Sequence, residues 1–476
     1  MQERHGRGCL FKRVWIKTGD AVEVNEDISF VRDGRRAAVW ILHRVFKTQS
    51  YADILLDHVL EKISLSSKER ALATELVYGT LRWLGYIEWI LKKLYRGLWK
   101  SVPPLIQRNL EVAVYQILFL SKIPEYAVVD EAVEIAKQTH GDQWPGRVNA
   151  VLRKLLQKKE NIESLLPDQK NLFQRIAVEC SHPQWLVERW IQRFGVDRTM
   201  ALCKANNQKP YIGIRVNLRK TTRESLLEEF LQMGIEVELD PFLPEFLRIR
   251  KSGDIAHLAP FQQGKCTVQD PSAGLVAHLM DPQPGEWILD LTSAPGGKAT
   301  HLAELSGDQV HIVAVDKYLH RLRMVKENAF RLGLSSIDCV VADGTGKWKP
   351  IFDKVLVDAP CTSVGIFRRS PELKWKKITK EIPKICQVQS RLLESAAQAL
   401  KPGGVLVYST CSVLEEENEQ RIEAFLSHHP EFQIESIAGK VPQEFISPQG
   451  WIQTWPDLHD LDGAFAVLLR KRGCVL

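Results

Sequence analysis

The feature that most constrains the fold is a series of short apolar segments in the C-terminal half of the chain, separated by helical stretches and closing on acidic residues. Segments 286–291, 310–316, 336–342, 354–358 and 404–410 read as buried strands, the first opening just after the turn at Pro284-Gly285. Four successive segments end at or beside Asp290, Asp316, Asp343 and Asp358. Strands alternating with helices in this way predict a parallel, doubly wound sheet. Ligands of such sheets sit beyond the carboxyl ends of the strands, so acids at successive strand ends predict one polar crevice.

The rest of the chain is organised differently. At 476 residues it is too long for one ordinary domain. Residues 35–165 show helical periodicity: Ala38, Ile41, Leu42, Val45 and Phe46 share a face, as do Ile54, Leu55, Val59 and Leu60, with further helices over 69–93, 104–120, 129–139 and 148–157. This predicts an all-helical N-terminal domain. Residues 166–265 mix helical segments around 185–194 and 225–233 with strand-like pieces at 211–218, 236–239 and 246–249, which predicts a small α/β linker domain. The C-terminal domain is then 266–476, and the fold class is α plus α/β. Residues 1–34 lack periodicity and are expected to be a poorly ordered extension. No Met follows Met1 until Met200, so a non-Met start at Val24 or Val31 is one reading, and deletion of 1–34 is expected to leave activity intact.

Composition narrows the class. Hydrophobic residues at 45% and charged residues at 26% are globular values. No apolar run is long enough for a bilayer, and the charged N-terminus lacks the apolar stretch of a secretory signal. Nine cysteines without CxxC pairs or regular spacing predict reduced thiols, a cytoplasmic location and no zinc site. The net charge of +6 is localised: residues 35–166 hold 20 Lys plus Arg against 14 Asp plus Glu, and the remainder is balanced at 44 against 44. A basic helical unit predicts contact with a polyanion, with Arg35, Arg36 and Arg44 as phosphate contacts.

The stretch Asp290-Leu-Thr-Ser-Ala-Pro-Gly-Gly-Lys298 lies between a strand and a helix, where glycines let backbone amides approach a ligand closely. Asp316 follows the glycines by about the spacing at which a carboxylate reaches a ribose hydroxyl pair. The loop has neither a GxGxxG nor a GxxxxGK[ST] pattern, which disfavours a dinucleotide or triphosphate and favours adenosine with a small charged tail. Expected cofactor contacts are Ser293, Ala294, Pro295, Gly296, Gly297, Lys298, Asp316, Arg321, Asp343, Gly344 and Asp358. Two cysteines, Cys361 in Asp358-Ala-Pro-Cys361 and Cys411 in Ser409-Thr-Cys-Ser412, also fall at strand ends on the same sheet edge. Beside Lys298, such thiols can become nucleophiles.

Together with Phe367-Arg-Arg-Ser-Pro-Glu-Leu-Lys-Trp375, Glu417-Asn418 and Asp462-Gly-Ala-Phe465, these motifs resemble bacterial ribosomal RNA cytosine-5 methyltransferases of the Nop/Sun class. The helical unit resembles the RNA-binding antitermination factor NusB, a domain fused ahead of the methyltransferase in the Sun (Fmu) branch. The resemblance spans about residues 35–472. The family's loop usually reads Asp-Leu-Cys-Ala-Ala-Pro-Gly-Gly-Lys, so Thr292 and Ser293 depart from it, as do Ser370 from a common His and Ala464 from a common Phe.

The resemblance implies a Rossmann-like methyltransferase domain, S-adenosylmethionine as cofactor and methylation of a cytosine in 16S ribosomal RNA, free or in an assembling ribosomal particle, by a monomeric enzyme. It implies Cys411 as nucleophile and Cys361 as the residue that assists product release, whereas DNA cytosine-5 enzymes attack with the Pro-Cys cysteine. Carbon 5 of cytosine is a poor nucleophile until a thiolate adds to carbon 6, so the chemistry needs a thiol, an acid and a base. Asp358 is the candidate acid, with Lys298 positioning the site. The catalytic motifs do not name the substrate, which leaves a transfer RNA cytosine-5 methyltransferase as one alternative. Another is an inert RNA-binding assembly factor, although Cys361, Cys411 and Asp358 are all present.

Overall fold

The computed structural model describes residues 29–251 and 255–473. The proposed extension and the Val24 start fall largely outside the described residues. The chain divides into two compact units, one holding the described residues up to Gln208 together with Phe367–Lys376, the other holding the rest.

The first unit is helical. Its main helices are Gly34–Thr48, Ala52–Lys62, Ser67–Leu94, Pro104–Phe119, Glu125–His140 and Pro145–Lys158. Local signals fix several ends: Asp33 accepts from the Arg36 amide at 2.9 Å, Ser66 accepts from the Glu69 amide at 3.3 Å, and prolines open the helices at 104 and 145. The apolar faces meet in one core that includes Ile41, Leu42, Leu76, Val77, Ile106 and Leu152. Gly79 is needed where two helices approach closely, because a Cβ there would sit 2.0 Å from the Tyr115 ring. The ordered fold begins before residue 35: Val31 is buried in this core and Asp33 caps the first helix, so a deletion through 34 removes both.

By contacts, helices Leu172–Glu179, Gln184–Phe194 and Val196–Asn206 group with the helical unit. One sequence expectation changes here: the arginines expected to meet phosphate are largely internal. Arg36 is buried and bonds Asp33, Glu131 and Gln138, Arg44 is buried, and Arg35 donates to Gln116 at 2.9 Å. Helical periodicity places positions 36 and 44 near the apolar face, where pairing outweighs solvation.

Phe367–Lys376 packs entirely into this unit. Trp375 donates its indole N–H to the Leu81 carbonyl at 2.7 Å, and its ring occupies the space a Cβ on Gly85 would need. Lys374 is buried, with Nζ 2.5 Å from Asn207 Oδ1 and 3.3 Å from the Ser181 carbonyl. Burial, aided by Arg82, pushes its pKa down to about 7.

In the second unit, β1 (Ile212–Val216), β2 (Glu236–Leu239), β3 (Phe246–Lys251) and β4 (Cys266–Val268) form an antiparallel sheet in the order β2-β3-β1-β4. A larger sheet holds β5 (Trp287–Asp290), β6 (His311–Asp316), β7 (Ile337–Val341), β8 (Phe352–Asp358), β9 (Leu400–Thr410), β10 (Phe432–Ile434), β11 (Ile452–Thr454) and β12 (Ala464–Lys471). Its order is β10-β12-β9-β8-β5-β6-β7, with β11 also on β12. Strands β5 to β9 are parallel, as the alternation predicts, while β10, β11 and β12 add antiparallel pairs not read from the sequence. β7 is less buried than expected because it is the outermost strand; Val341 is 52% exposed.

The small sheet is fastened to the large one by two arginines. Arg215 on β1 pairs with Glu304 at 2.9 Å and donates to the Gly297 carbonyl at 2.8 Å, and Arg331 donates to the Phe261 and Cys266 carbonyls, both at 2.8 Å. Glu245 accepts from His278 and His301 at 2.7 and 3.0 Å. Distances of this kind are those of two imidazole N–H donors on one carboxylate oxygen.

Because Arg36 is a buried ion-pairing residue, Arg36→Ala should lower the stability of the helical unit by about 1–3 kcal/mol, the scale of hydrogen bonds to charged groups. Urea unfolding of the variant and the parent checks this; an unchanged midpoint would return Arg36 to the solvated surface.

Candidate active site

The chain reverses its direction of sheet growth between β5 and β8. β6 and β7 extend one side of β5, and β8 and β9 extend the other. The crevice at such a switch point is where parallel sheets bind ligands. Asp290 ends β5 and Asp358 ends β8, so the two acids stand at the mouth of that crevice.

Lys298, in the first turn of helix Gly297–Leu305, reaches Asp358 Oδ2 at 2.8 Å. Ser409, at the end of β9, donates to the other Asp358 oxygen at 2.9 Å, and the Thr292 hydroxyl donates to the Asp358 carbonyl at 2.8 Å. Burial disfavours the Lys298 charge, but Asp358 outweighs it, with help from Cys411 and Asp290, and holds the ammonium above its ordinary pKa. Asp290 is raised to about 7 by burial, reinforced by the Asp358 charge. The sequence places Asp290 among the strand-end acids without giving it a role.

The glycine loop supplies the other wall. Gly296 has φ +97°, and a Cβ on it would press on Val325 at about 3 Å, so glycine is required at this turn. Arg321 pairs with Asp316 at 3.1 Å and donates to the Ala294 carbonyl at 2.8 Å, tying the loop to the end of β6. Asp316 is buried and also accepts from the Tyr318 amide at 3.0 Å. Asp343 lies beyond the end of β7 on the surface, where its carboxylate accepts from the Thr345 amide and hydroxyl at 3.0 and 2.8 Å. Gly344, packed against the Leu291 carbonyl, leaves no room for a Cβ. The Ser293 hydroxyl hydrogen-bonds the buried Asp290 carboxyl. Acids at the strand ends and a glycine turn suit the hydroxyls and ammonium group of a nucleoside carrying a charged tail.

The two cysteines converge. Cys361 Sγ lies 3.2 Å from Cys411 Sγ, and no disulfide joins them. Ser363 Oγ is 3.4 Å from Cys411 Sγ and 3.8 Å from Cys361 Sγ, and its backbone is left-handed with φ +59°. Cys361 is buried, whereas Cys411 is partly accessible. Backbone contacts hold the two turns together: the Gly365 amide donates to the Cys411 carbonyl at 3.1 Å and the Gly463 amide to the Gly365 carbonyl at 2.8 Å. A Cβ on Gly365 would lie 1.8 Å from the Gly463 carbonyl oxygen.

Residues that sequence reasoning gave no role complete the frame. Glu417 is fully buried and accepts from the Thr362 amide at 2.7 Å, the Thr362 hydroxyl at 2.5 Å and the Ser412 hydroxyl. Asn418 accepts from Thr410 Oγ1 at 2.6 Å and donates to the Ser412 carbonyl at 2.9 Å. The only sequence signal for these contacts was the Glu-Asn pair shortly after the Thr-Cys motif.

A family model described as "16S rRNA methyltransferase RsmB/F" matches residues 277–470, a NusB family model matches 32–157, and a model of the ferredoxin-like domain of RsmF/B-like methyltransferases matches 182–256. The chain is 35% identical over 446 residues to a probable ribosomal RNA small subunit methyltransferase B of Bacillus subtilis, covering 92% of this chain and 99% of that one. It is 38% identical over 416 residues to ribosomal RNA small subunit methyltransferase B of Yersinia enterocolitica, covering 86% and 92%. The crystal structure of PH0851 superposes with a TM-score of 0.76 at 30% identity, covering 94% of this chain and all of that one. Among the described residues, no helix is long and apolar enough to cross a membrane.

The Asp290 carboxyl gives a pH prediction. Its folded pKa of about 7 exceeds the ordinary 3.8 of an unfolded chain, so the folded state binds the proton more tightly. Stability contributed by this group is therefore lost as pH rises from about 4 to about 7. Asp290→Asn removes the titration, and its stability relative to the parent should climb across that window and level off above it. Urea unfolding at several pH values measures the difference; a flat difference would show that Asp290 is not raised.

Proposed function

We propose that this chain, which belongs to the RsmB/F family of S-adenosylmethionine-dependent methyltransferases, methylates carbon 5 of a cytosine in small-subunit ribosomal RNA through a covalent cysteine adduct. The observation that carries the reading is the pair of reduced thiols 3.2 Å apart at the mouth of the sheet crevice. One thiol suffices to add to a pyrimidine; a second beside it supports a separate role in taking the adduct apart.

Cys411, the more accessible thiol, is the nucleophile. Its thiolate adds to carbon 6, which makes carbon 5 enamine-like. Asp358, held by Lys298 and Ser409, faces the base as the acid that shares a proton with ring nitrogen 3 while the adduct forms. Asp316 holds the ribose hydroxyls of the cofactor and Asp343 the adenine side, with Ser293 to Lys298 lining the tail and Gly344 giving close approach. S-adenosylmethionine, when bound, supplies the methyl group. Cys361 assists the last stage, loss of the carbon 5 proton and elimination of Cys411. The NusB-like helical unit holds the RNA, which is free or part of an assembling particle, and the enzyme acts as a monomer in the cytoplasm.

The two cysteines are separable by experiment. Cys411→Ala should be inactive and form no RNA adduct, whereas Cys361→Ala should accumulate a protein–RNA adduct that survives denaturing electrophoresis. An adduct from Cys411→Ala with none from Cys361→Ala would reverse the roles. Bisulfite sequencing of RNA from a strain lacking the gene should show one cytosine of 16S ribosomal RNA losing its modification; loss confined to transfer RNA would replace the substrate.

Cofactor recognition gives a second test. Asp316→Ala should weaken S-adenosylmethionine by about 1.5–3 kcal/mol, the scale of a hydrogen bond to a charged group. Calorimetry measures the affinity, and normal binding would remove Asp316 from the site.

A further inference from the structure

Among the described residues, Glu417 stands out as a buried carboxylate that touches both cysteine-bearing turns yet has no part in the chemistry above. Its Oε1 accepts from the Thr362 amide at 2.7 Å and from Gln389 Nε2 at 3.3 Å. Its Oε2 accepts from the Thr362 hydroxyl at 2.5 Å and from the Ser412 hydroxyl. Thr362 follows Cys361, and Ser412 follows Cys411. The two hydroxyls are themselves 3.3 Å apart. The backbone that presents the carboxylate is fixed as well, because Tyr408 donates its phenol to the Glu417 carbonyl at 2.7 Å and Gln389 also donates to the Pro360 carbonyl at 3.0 Å.

We propose that Glu417 is the positioning residue of the thiol pair: its carboxylate clamps the residue after each cysteine and so keeps Cys361 in register with Cys411. The inference rests on these two cysteines being the reacting pair. A carboxylate suits the task because it only accepts hydrogen bonds, and the Thr362, Ser412 and Gln389 groups that meet it are N–H or O–H donors. Two oxygens meeting several donors from two different turns fix the turns relative to one another, which a single hydrogen bond does not do. A glutamine has nearly the same shape but turns one acceptor into a donor facing other donors. In the reaction, loss of register affects the step that needs both thiols. Glu417→Gln should therefore still attack the base but resolve the adduct slowly, so that covalent protein–RNA accumulates as in Cys361→Ala.

The register can be read without RNA or cofactor. Diamide withdraws two electrons and two protons from a pair of close thiols, leaving a disulfide and the corresponding hydrazine. Mapping by mass spectrometry follows the peptide that links Cys361 to Cys411. In Glu417→Gln the linking rate should fall about tenfold or more, the scale of effect expected when reacting atoms are displaced by a fraction of an ångström to an ångström. S-adenosylmethionine affinity by calorimetry should stay at the parent value. Thr362→Val and Ser412→Ala, which each remove one hydroxyl from the clamp, should fall between the parent and Glu417→Gln and serve as the test if the glutamine variant does not fold. An unchanged linking rate in these variants would overturn the proposal. So would a slowed rate accompanied by lost cofactor binding, since that pattern marks general disruption. Because the linking reaction needs no substrate, its outcome is independent of whether cytosine is the base methylated.

Discussion

The ion pair between Lys298 and Asp358 is the interaction on which the rest of the site depends. It joins the first turn of the helix after the glycine loop to the end of β8, across the point where the sheet reverses its direction of growth. One partner belongs to the helix that follows the glycine loop, and the other opens the turn carrying Cys361. A half-buried pair is better stabilised when its remaining hydrogen-bonding capacity is met. Ser409 satisfies the second carboxylate oxygen and Thr292 the Asp358 carbonyl, so four segments converge on one charged contact. The raised Asp290 carboxyl follows from the same arrangement: a second full negative charge beside Asp358, in a buried position, is disfavoured.

The small antiparallel sheet contributes to this geometry from outside the crevice. Arg215 reaches from β1 to the Gly297 carbonyl and to Thr300, within the first turns of the helix that carries Lys298. Its guanidinium is fully buried and paired with Glu304 on the same helix. Arg331 and Asn217 add further bonds between the small-sheet segment and the last turn of helix Leu319–Leu332. A fork of several donors fixes orientation as well as distance. The small sheet thus acts as a brace for the glycine-loop helix.

Much of this was legible in the sequence, for reasons that differ by region. The parallel strands were readable because buried strands are continuous apolar runs and each ends on a polar residue. Cys361, Cys411 and Asp358 at strand ends, and Lys298 at the helix start after the glycine loop, were readable as chemistry-bearing residues, and the structure brings them together. The antiparallel strands β10 and β11 were not readable, since three-residue strands carry almost no periodic signal. Arg36 and Arg44 were misread because charge count does not report which face of a helix a cation occupies; Arg36 finds its partner Glu131 far along the chain. The same holds for Glu417, whose partners lie on two separate turns.

Segment Phe367–Lys376 shows how the thiol pair keeps its geometry although the chain leaves the catalytic unit close after Cys361. Before the departure, Gly365 is pinned between the Cys411 carbonyl and Gly463 in a space that admits no Cβ. After the return, helix Ile378–Ala399 brings Gln389 back to the Pro360 carbonyl and to Glu417. The turn that holds Cys361 is therefore fixed at both ends by contacts internal to its own unit. The excursion itself is anchored separately by Lys374 and Trp375 in the helical unit. The steric demand on Gly365 thus ties the Cys361 turn directly to the Cys411 carbonyl, within the unit that carries both thiols.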